Sequence, residues 1–325
     1  MLTGNIFVRN SVKRLAIVTI AVSLSACSSF FSGFNQRPDP IRGPLVGKIF
    51  SSVEDEINRD ELLQKLADAD VIYLGEQHEN SSHHRIQQEI IQYLLDAQKP
   101  PAILIEAAAF DQTSTLLNYS LNPSVKVQAA HAKAADDILR KALQWGDKKD
   151  YYWSNYGAIL QLAREHSLSV YGMDLPKSLR FRISKQGVGG LSAVEKSLLA
   201  PSNFDDPVYQ QMMYARFKRA HCGYGEESYL SKLYDNWLAR NDRMAATIAQ
   251  VALEDKRRPV VVIVGSGHTQ FGMGLYERLS VLAPDLKQIN IGLTEIHDPA
   301  DRADDTIKPY RFGERDFGLE FDYYW

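Results

Sequence analysis

Two stretches of the chain share one pattern, an apolar run that ends in Gly-x-x-His. Residues 71–78 read VIYLGEQH and residues 260–268 read VVVIVGSGH. Continuous apolar and β-branched runs are typical of strands that are buried on both faces of a parallel sheet. In open α/β sheets, ligands bind outside the carboxyl ends of the strands. The pattern therefore predicts that His78 and His268 converge on one site at that edge.

Further apolar runs along the chain predict the fold class. Strand-like runs recur at residues 102–105, 168–172 and 288–293. Helical apolar periods lie between the strands, at about residues 82–97 and 228–253. This alternation is typical of an α/β fold with a mainly parallel central sheet flanked by helices. A helical insertion at about residues 176–228 is predicted to lie near the carboxyl ends of the strands.

The N-terminus has the pattern of an export signal. Three basic residues precede an apolar run at 15–24 that is too short to span a bilayer as a helix. The sequence LSAC at 24–27 resembles the bacterial lipobox, in which the cysteine is diacylated before cleavage makes it the new N-terminus. We therefore predict a lipoprotein signal peptide at residues 1–26 and lipidation of Cys27, palmitate included.

The residues beyond the lipobox predict where the protein is held. Ser28 and Ser29 resemble the pattern that sorts lipoproteins to the outer membrane, so the body is expected to face the periplasm or the cell surface. Residues 27–48 contain Pro and Gly without an apolar period, which indicates a linker. A domain at 49–300 and a C-terminal tail at 301–325 follow. The aromatic end of the tail, FDYYW, is predicted to pack against an edge of the domain.

Charge and cysteine content limit the possible partners. The 325 residues carry a net charge of −3, and binding to nucleic acid is not expected because it calls for a basic stripe. Of the 2 cysteines, one is the predicted lipid site. Cys222 is left alone, so no disulfide within the chain is expected. We predict that Cys222 is buried rather than paired between chains.

Ionisable residues follow four of the predicted strands. They are Glu76 with His78, then Glu106, Asp174 and His268. Because parallel strands end at the same edge of a sheet, these side chains are expected to lie together. Carboxylates and imidazoles in such an arrangement bind a metal, move a proton or orient a ligand. The alternative is that they cap helices and bind loop amides.

Two adjacent histidines begin the helix that follows the first of these strands. Ser81 or Ser82 is predicted to cap that helix, which places His83 and His84 in its first turn. A helix N-terminus disfavours the imidazolium form. His84 is therefore predicted to be a neutral ligand, whereas His83 fits this role and an ordinary surface position equally well.

Six short motifs occur in a fixed order along the chain. They are LGEQH (74–78) with HHR (83–85), IE (105–106), GMDLP (172–176), HCG (221–223), DRMA (242–245) and GSGH (265–268). At these motifs the chain resembles the ChaN family of haem-binding lipoproteins, within a superfamily that includes TIKI peptidases, TraB-type proteins and erythromycin esterases. The family tends to have Asn in place of Asp174 and Pro in place of Gly225.

The resemblance implies haem capture for iron uptake at the outer membrane. It implies a homodimer that encloses haem between its chains, and an outer-membrane haem receptor as a further partner. It also implies that a tyrosine holds the iron, with a histidine of the partner chain nearby, and a phenolate suits ferric iron. Tyr156 and Tyr224 are the candidate iron ligands. Other candidate haem contacts are His78, His84, Glu106, His221 and His268.

Two further groups of residues suit parts of a haem molecule, namely its flat porphyrin face and its propionates. The aromatic residues at 151–153 are a candidate flat wall for the porphyrin. Arg180, Arg182 and Lys185 are candidate partners for its propionates.

Hydrolysis is the alternative function that the same resemblance implies. Relatives use these Glu and His positions with a divalent metal, or without one as a general base. Glu76, His78, Glu106 and His268 would then form the site of a peptidase or esterase. The chain has no Gly-x-Ser-x-Gly nucleophile motif. Haem binding is favoured over catalysis.

Overall fold

The apolar run that begins at Val71 is the third strand along the described part of the chain. It lies in the interior of the main sheet. The computed structural model describes residues 43–122, 129–145, 151–202, 204–254, 259–298 and 300–325, of which 129–131 are described by their backbone alone. Strands within these ranges are β1 Ile49–Ser52, β2 Asp55–Ile57, β3 Val71–Glu76, β4 Ala102–Ala109, β5 Val170–Asp174, β6 Val260–Gly265, β7 Gln288–Gly292, β8 Tyr310–Phe312, β9 Arg315–Gly318 and β10 Tyr323–Tyr324.

Eight of these strands form one sheet in the order β2-β1-β10-β7-β3-β6-β4-β5, and β8 pairs with β9 in a separate hairpin. From β10 to β5 all neighbours are parallel, whereas β1 pairs antiparallel with β2 and β10. β3 and β6 pair from Val71 opposite Val260 to Glu76 opposite Gly265. The two Gly-x-x-His turns therefore leave the sheet side by side. The predicted α/β fold with a mainly parallel sheet is confirmed.

Helices cover both faces of the sheet. Within the described ranges they are α1 Arg59–Ala67, α2 Ser81–Asp96, α3 Thr113–Leu121, α4 Ala129–Ala142, α5 Tyr151–His166, α6 Lys177–Gln186, α7 Ala193–Lys196, α8 Pro207–Ala220, α9 Glu227–Glu254, α10 Leu275–Leu282 and α11 Ala303–Thr306. Successive strand residues point to opposite faces. Ile72 and Leu74 pack in the core with α1 to α5, whereas Val71 and Tyr73 pack with α9 and α10. Burial on both faces is why the strand reads as a continuous apolar run.

The predicted insertion at 176–228 contains three helices, α6, α7 and α8, and the long helix α9 begins at its end. Leu179 and Ile183 of α6 pack with Ala239 of α9. Met212 and Met213 of α8 lie in a second small core, also built on α9. The insertion is therefore held by the N-terminal half of α9, while the C-terminal half of that helix covers the sheet.

The C-terminal residues complete the sheet. β10 lies between β1 and β7, and Tyr324 is buried. Trp325 donates its backbone N–H to the carbonyl of Gly292 at 3.0 Å, and its own carbonyl accepts from Thr294 at 2.8 Å. The aromatic end packs on the domain, but not at an edge as predicted, because it forms a strand inside the sheet.

The predictions for the N-terminus fall outside the described residues. They are the signal peptide at 1–26, the lipidation of Cys27 and most of the linker. None of the helices within the described ranges is both long and apolar enough to cross a membrane.

Candidate ligand site at the carboxyl ends of the strands

Glu76 ends β3 as a buried carboxylate that accepts several hydrogen bonds. Nδ1 of His78 donates to its Oε1 at 2.9 Å, and the hydroxyl of Tyr156 donates to the same oxygen. The side-chain amide of Gln87 donates to Oε2 at 2.6 Å. Burial acts to raise the pKa of Glu76, but the hydrogen bond from His78, the charge of His84 and the bond from Gln87 outweigh it and lower the pKa. Glu76 is therefore an ionised anchor for the ring of His78.

His78 presents an exposed imidazole, with 44% of its side chain accessible. Its backbone carbonyl accepts from the side-chain amide of Asn155 and from Nε2 of His84, each at 3.0 Å. The hydrogen bond with Glu76 raises the pKa of His78, burial opposes this, and the charge of Glu106 adds to the rise. A carboxylate behind Nδ1 fixes the ring and leaves Nε2 for a ligand, as around ligand-binding histidines in general.

The loop around His78 is held by buried side chains. The cap of α2 is Asn80, whose side chain accepts from the backbone of Ser82 at 2.9 Å. The predicted serine cap is therefore wrong, because the adjacent Asn is an equally good cap. His83 is only 2% exposed, and its Nδ1 accepts from the backbone N–H of Gln77 at 3.0 Å. Burial lowers the pKa of His83 to about 4, so His83 supports the loop as a neutral ring.

His84 is buried and both of its ring nitrogens face acceptors inside the protein. Nδ1 lies 3.0 Å from Oε1 of Gln87, and Nε2 lies 3.0 Å from the carbonyl of His78. The orientation of the Gln87 amide follows from its bond to Glu76, because a carboxylate only accepts. Both ring nitrogens are therefore engaged inside the protein, and neither is left for a ligand as predicted. In this arrangement His84 supports His78 instead of facing a ligand.

Glu106 of β4 forms a second buried carboxylate beside the first cluster. Its Oε2 accepts from the backbone N–H of Gly265 at 2.7 Å, and Arg240 donates to its Oε1. Nε2 of His268 lies 3.4 Å from Oε1. Burial acts to raise the pKa of Glu106, but His268 and Arg240 outweigh it and hold the pKa well below its usual range. Glu106 is a fixed negative charge rather than a proton donor.

Asp174 connects this carboxylate to the insertion. Arg240 donates to both of its oxygens, at 3.0 Å and 2.8 Å. Arg180 of α6 donates to Oδ2 at 2.6 Å. Arg182 pairs with Glu195. Both arginines considered for the propionates are thus engaged within the protein.

Gly265 lets the residues around Glu76 and those around Glu106 lie close together. A Cβ atom at this position would lie 3.0 Å from Nε2 of His78 and 3.4 Å from Oε2 of Glu106. Because glycine has no Cβ, the imidazole lies directly against the end of β6. The strand ends therefore bring together Glu76, His78, Glu106 and His268, and Asp174, the fifth residue singled out by the sequence, joins them through Arg240.

An aromatic stack borders His78. The rings of Trp145 and Tyr152 stack with centroids 5.4 Å apart, and Tyr152 stacks on Tyr156 at 6.3 Å. Tyr152 is 41% exposed, and the hydroxyl of Tyr156 lies 3.2 Å from Nδ1 of His78. Trp145 and Tyr156 are buried, so the stack exposes one flat ring, that of Tyr152, and contacts the imidazole through Tyr156. Trp153 faces the guanidinium of Arg140 and the core instead.

The family model for haem-binding uptake proteins, Tiki superfamily, ChaN, matches residues 62–279. The chain belongs to this family. The fold is similar to that of ChaN of Campylobacter jejuni, solved as an example of cofacial haem binding, with a TM-score of 0.60 and 19% identity over 85% of this chain and 95% of that chain. An erythromycin esterase in its open conformation gives a TM-score of 0.44 and 15% identity over 84% of this chain and 83% of that chain. No curated protein sequence matches the chain.

Within this ChaN fold the two candidate tyrosines lie in different environments. Tyr156 is 1% exposed, and burial together with the charge of Glu76 raises its pKa far above the usual value. Its hydroxyl is a neutral donor to Glu76. Tyr224 is 79% exposed and lies in the turn between α8 and α9, where its N–H donates to the carbonyl of His221 at 2.9 Å. Of the two hydroxyls, Tyr224 is the one that faces solvent.

The turn that carries Tyr224 also corrects one prediction. Cys222 is exposed, so the predicted burial is wrong. α8 ends at Ala220, and Cys222 adopts a left-handed conformation with φ of 55° on the way into α9. Helix termini of this kind lie on the surface. His221 is exposed as well, and its Nδ1 donates to the carbonyl of Phe217 at 2.7 Å.

A polar cavity of about 330 Å³ is lined by the residues that follow β3, β6 and β7. Its lining includes Gln77, Ser266 and Phe321, together with the carboxylates Glu295, Asp301, Asp305 and Glu320. An acidic lining disfavours an anionic ligand. The surface formed by His78 and the aromatic stack is therefore the better candidate for a porphyrin with propionates.

Three residues that support the site do not stand out in the sequence. Arg240 and Asn241 lie on the apolar face of α9, three and four residues after Trp237, and a polar residue on such a stripe is the signal that could have indicated them. Asn155 precedes Tyr156 in α5, and no sequence pattern singles it out.

Proposed function

We propose that the protein binds haem at the surface formed by His78 and the aromatic stack, and that it captures haem for iron uptake. The observation that carries this proposal is the exposed imidazole of His78. Its Nδ1 is bonded to buried Glu76 and lies 3.2 Å from the hydroxyl of Tyr156, on whose ring exposed Tyr152 stacks, in a chain of the haem-binding uptake family. Imidazoles serve haem as ligands or as polar neighbours of the iron, and flat aromatic rings suit the porphyrin face.

The haem site is completed by a second chain. Tyr224 is exposed in the α8–α9 turn, whereas Tyr156 is buried under Glu76. Within the described residues, no hydrogen bond links Tyr224 to the network of Glu76 and Glu106. We infer a two-fold dimer in which Tyr224 of one chain supplies the phenolate and His78 of the partner subunit lies at the same haem. The cofacial haem of the solved Campylobacter relative supports this arrangement.

We propose a location for the protein from its N-terminal sequence. Acylation of Cys27 would hold the domain at the outer membrane, because several acyl chains anchor a protein more firmly than one. An outer-membrane haem receptor is the expected partner. Labelling cells with a palmitate analogue tests the anchor, since Cys27→Ala should abolish incorporation of the label.

A haemin titration of the soluble form that begins at residue 28 tests haem binding. We expect saturable binding with a tyrosinate–ferric absorption band and dimerisation on sedimentation. Tyr224→Phe should abolish the band and weaken binding at least about tenfold. Tyr229→Phe, at an exposed tyrosine in the first turn of α9, is the control and should leave both unchanged. An absence of saturable binding by the wild type would refute the proposal, and loss of the band in Tyr156→Phe instead would assign the ligand to Tyr156.

Hydrolysis is a second candidate that one observation favours. An exposed histidine with a buried carboxylate bonded to Nδ1 is also the geometry of a general base. The metal-dependent form gains no support, because within the described ranges no group of three or more His, Cys, Asp and Glu side chains is placed to bind a metal ion. A screen with ester and peptide substrates separates the two functions. Turnover that His78→Ala abolishes in the absence of haem would establish the enzyme.

A further inference from the structure

The ring of His268 is fixed in a buried position behind the site. The imidazole is 4% exposed and stacks on the indole of Trp237, with ring centroids 4.1 Å apart and planes inclined by 12°. Trp237 is itself held, because its Nε1 donates to the hydroxyl of Tyr209 at 3.0 Å. The two nitrogens of His268 therefore point in fixed directions.

Hydrogen-bond direction determines which nitrogen of His268 carries a proton in the neutral ring. The side-chain nitrogen of Asn241 donates to the carbonyl of Trp237 at 2.9 Å, and a carbonyl only accepts. Oδ1 of Asn241 must therefore face His268, where it lies 2.7 Å from Nδ1. An amide oxygen is also an acceptor only. Nδ1 of His268 must be the donor, and Nε2 is left without a proton when the ring is neutral.

Nε2 then faces a second acceptor. It lies 3.4 Å from Oε1 of Glu106, a carboxylate that also only accepts. A proton on Nε2 converts this repulsive contact into a charged hydrogen bond. We propose that His268 is a positioning residue for Glu106. His268 acts by taking up one proton from solvent at its Nε2.

The charged groups around His268 determine when this proton is bound. Burial disfavours the imidazolium and is the largest influence, and Arg240 of α9 acts in the same direction. Glu106 of β4 and Asp174 of β5 favour the imidazolium. The net effect is a pKa below the usual value for histidine, so the proton is taken up on acidification. Protonated His268 then joins Arg240 and the N–H of Gly265 as a third donor to Glu106, and the carboxylate beside His78 is held more firmly.

Nitrogen NMR of the ligand-free domain, with ¹⁵N-labelled histidine, tests the proposal independently of haem. The signals of His268 are assigned by their loss in His268→Gln. We expect Nδ1 to be protonated throughout the titration, and Nε2 to gain its proton as the pH falls. Exposed His166 is an internal control in the same spectra. A neutral His268 with its proton on Nε2 would overturn the proposal, and this measurement needs only the wild-type ring.

A conservative variant tests the role of Glu106. Glu106→Gln removes the charge that favours the imidazolium and offers an amide donor to Nε2. We expect the titration of His268 to move down by about one pH unit, a tenfold loss of proton affinity. Glu79→Gln, at an exposed residue of the neighbouring loop, is the control and should leave the titration in place. An unchanged midpoint in Glu106→Gln would overturn the coupling of the two residues.

Discussion

At the residue scale, the position of His78 depends on the missing side chain of Gly265. Gly265→Ala places a methyl group 3.0 Å from Nε2 of His78 and 3.4 Å from Glu106. The backbone at 265, with φ of −57° and ψ of 131°, accepts alanine. Because the His78 side chain is half-exposed, its ring can swing outward, so we expect haem affinity to fall about tenfold with little change in stability. Haemin titration and thermal unfolding measure the two effects.

Gly267 offers a matched control for this substitution. A Cβ atom at Gly267 would lie 3.5 Å from the ring of Trp237, which is an ordinary contact. Gly267→Ala should therefore leave haem affinity unchanged. If both alanine variants weaken binding equally, the loss comes from general disturbance of the turn, and the specific role of Gly265 is refuted.

His83 predicts a dependence of stability on pH. Burial lowers its pKa to about 4 in the folded state, whereas the unfolded chain has a value near 6.5. The unfolded state therefore binds the proton first as the pH falls. The stability present above pH 6.5 should decrease progressively between about pH 6.5 and 4, by roughly 2–3 kcal/mol from this group.

The variant His83→Gln tests this dependence, because glutamine keeps an acceptor for Gln77 and does not titrate. Urea unfolding at several pH values should show a shallower loss of stability below pH 6.5 in this variant than in the wild type. His166→Gln, at an exposed position, should reproduce the wild-type slope. Equal slopes for all three proteins would contradict the assignment.

At the scale of the elements, Arg240 joins α9 to the ends of two strands. Its guanidinium donates to Glu106 of β4 and to Asp174 of β5, and its side chain is 16% exposed. Arg240→Met leaves two buried carboxylates without this partner, and we expect a loss of about 3–5 kcal/mol in the free energy of unfolding. Arg182→Met removes a partly exposed ion pair at the surface and should cost about 1 kcal/mol or less. Urea denaturation measures both.

The attachment of β10 depends on close contact between Gly292 of β7 and Phe321. A Cβ atom at Gly292 would overlap the ring of Phe321, so Gly292→Ala should destabilise the fold by about 1–3 kcal/mol. In a Phe321→Ala background the methyl group has room, and the same substitution should cost little. A double-mutant cycle by urea denaturation should give a coupling above about 1 kcal/mol. Additive effects would show that the contact does not hold the strand.

The sequence predicts some elements of this fold well for a physical reason. β3 and β6 are buried on both faces, so their apolar runs are long and the polar residues at their ends are conspicuous. β10 has only two residues, and its position between β1 and β7 depends on contacts distant in sequence. The partners of Glu106 could not be predicted in the same way, because Arg240 meets it only through the packing of α9 across 134 residues of sequence.

At the scale of the whole molecule, the exposed Tyr224 and the exposed His78 define a test of the proposed dimer. His78→Ala and Tyr224→Phe chains should each bind haem weakly, because each homodimer lacks one residue at both of its sites. In a mixed dimer, one site contains both wild-type residues and the other contains neither. Mixing equal amounts of the two variants should therefore restore roughly a quarter of the tight sites. Haemin titration with the tyrosinate band as readout measures this recovery, and a mixture that binds no better than its components would place both residues of a site on one chain.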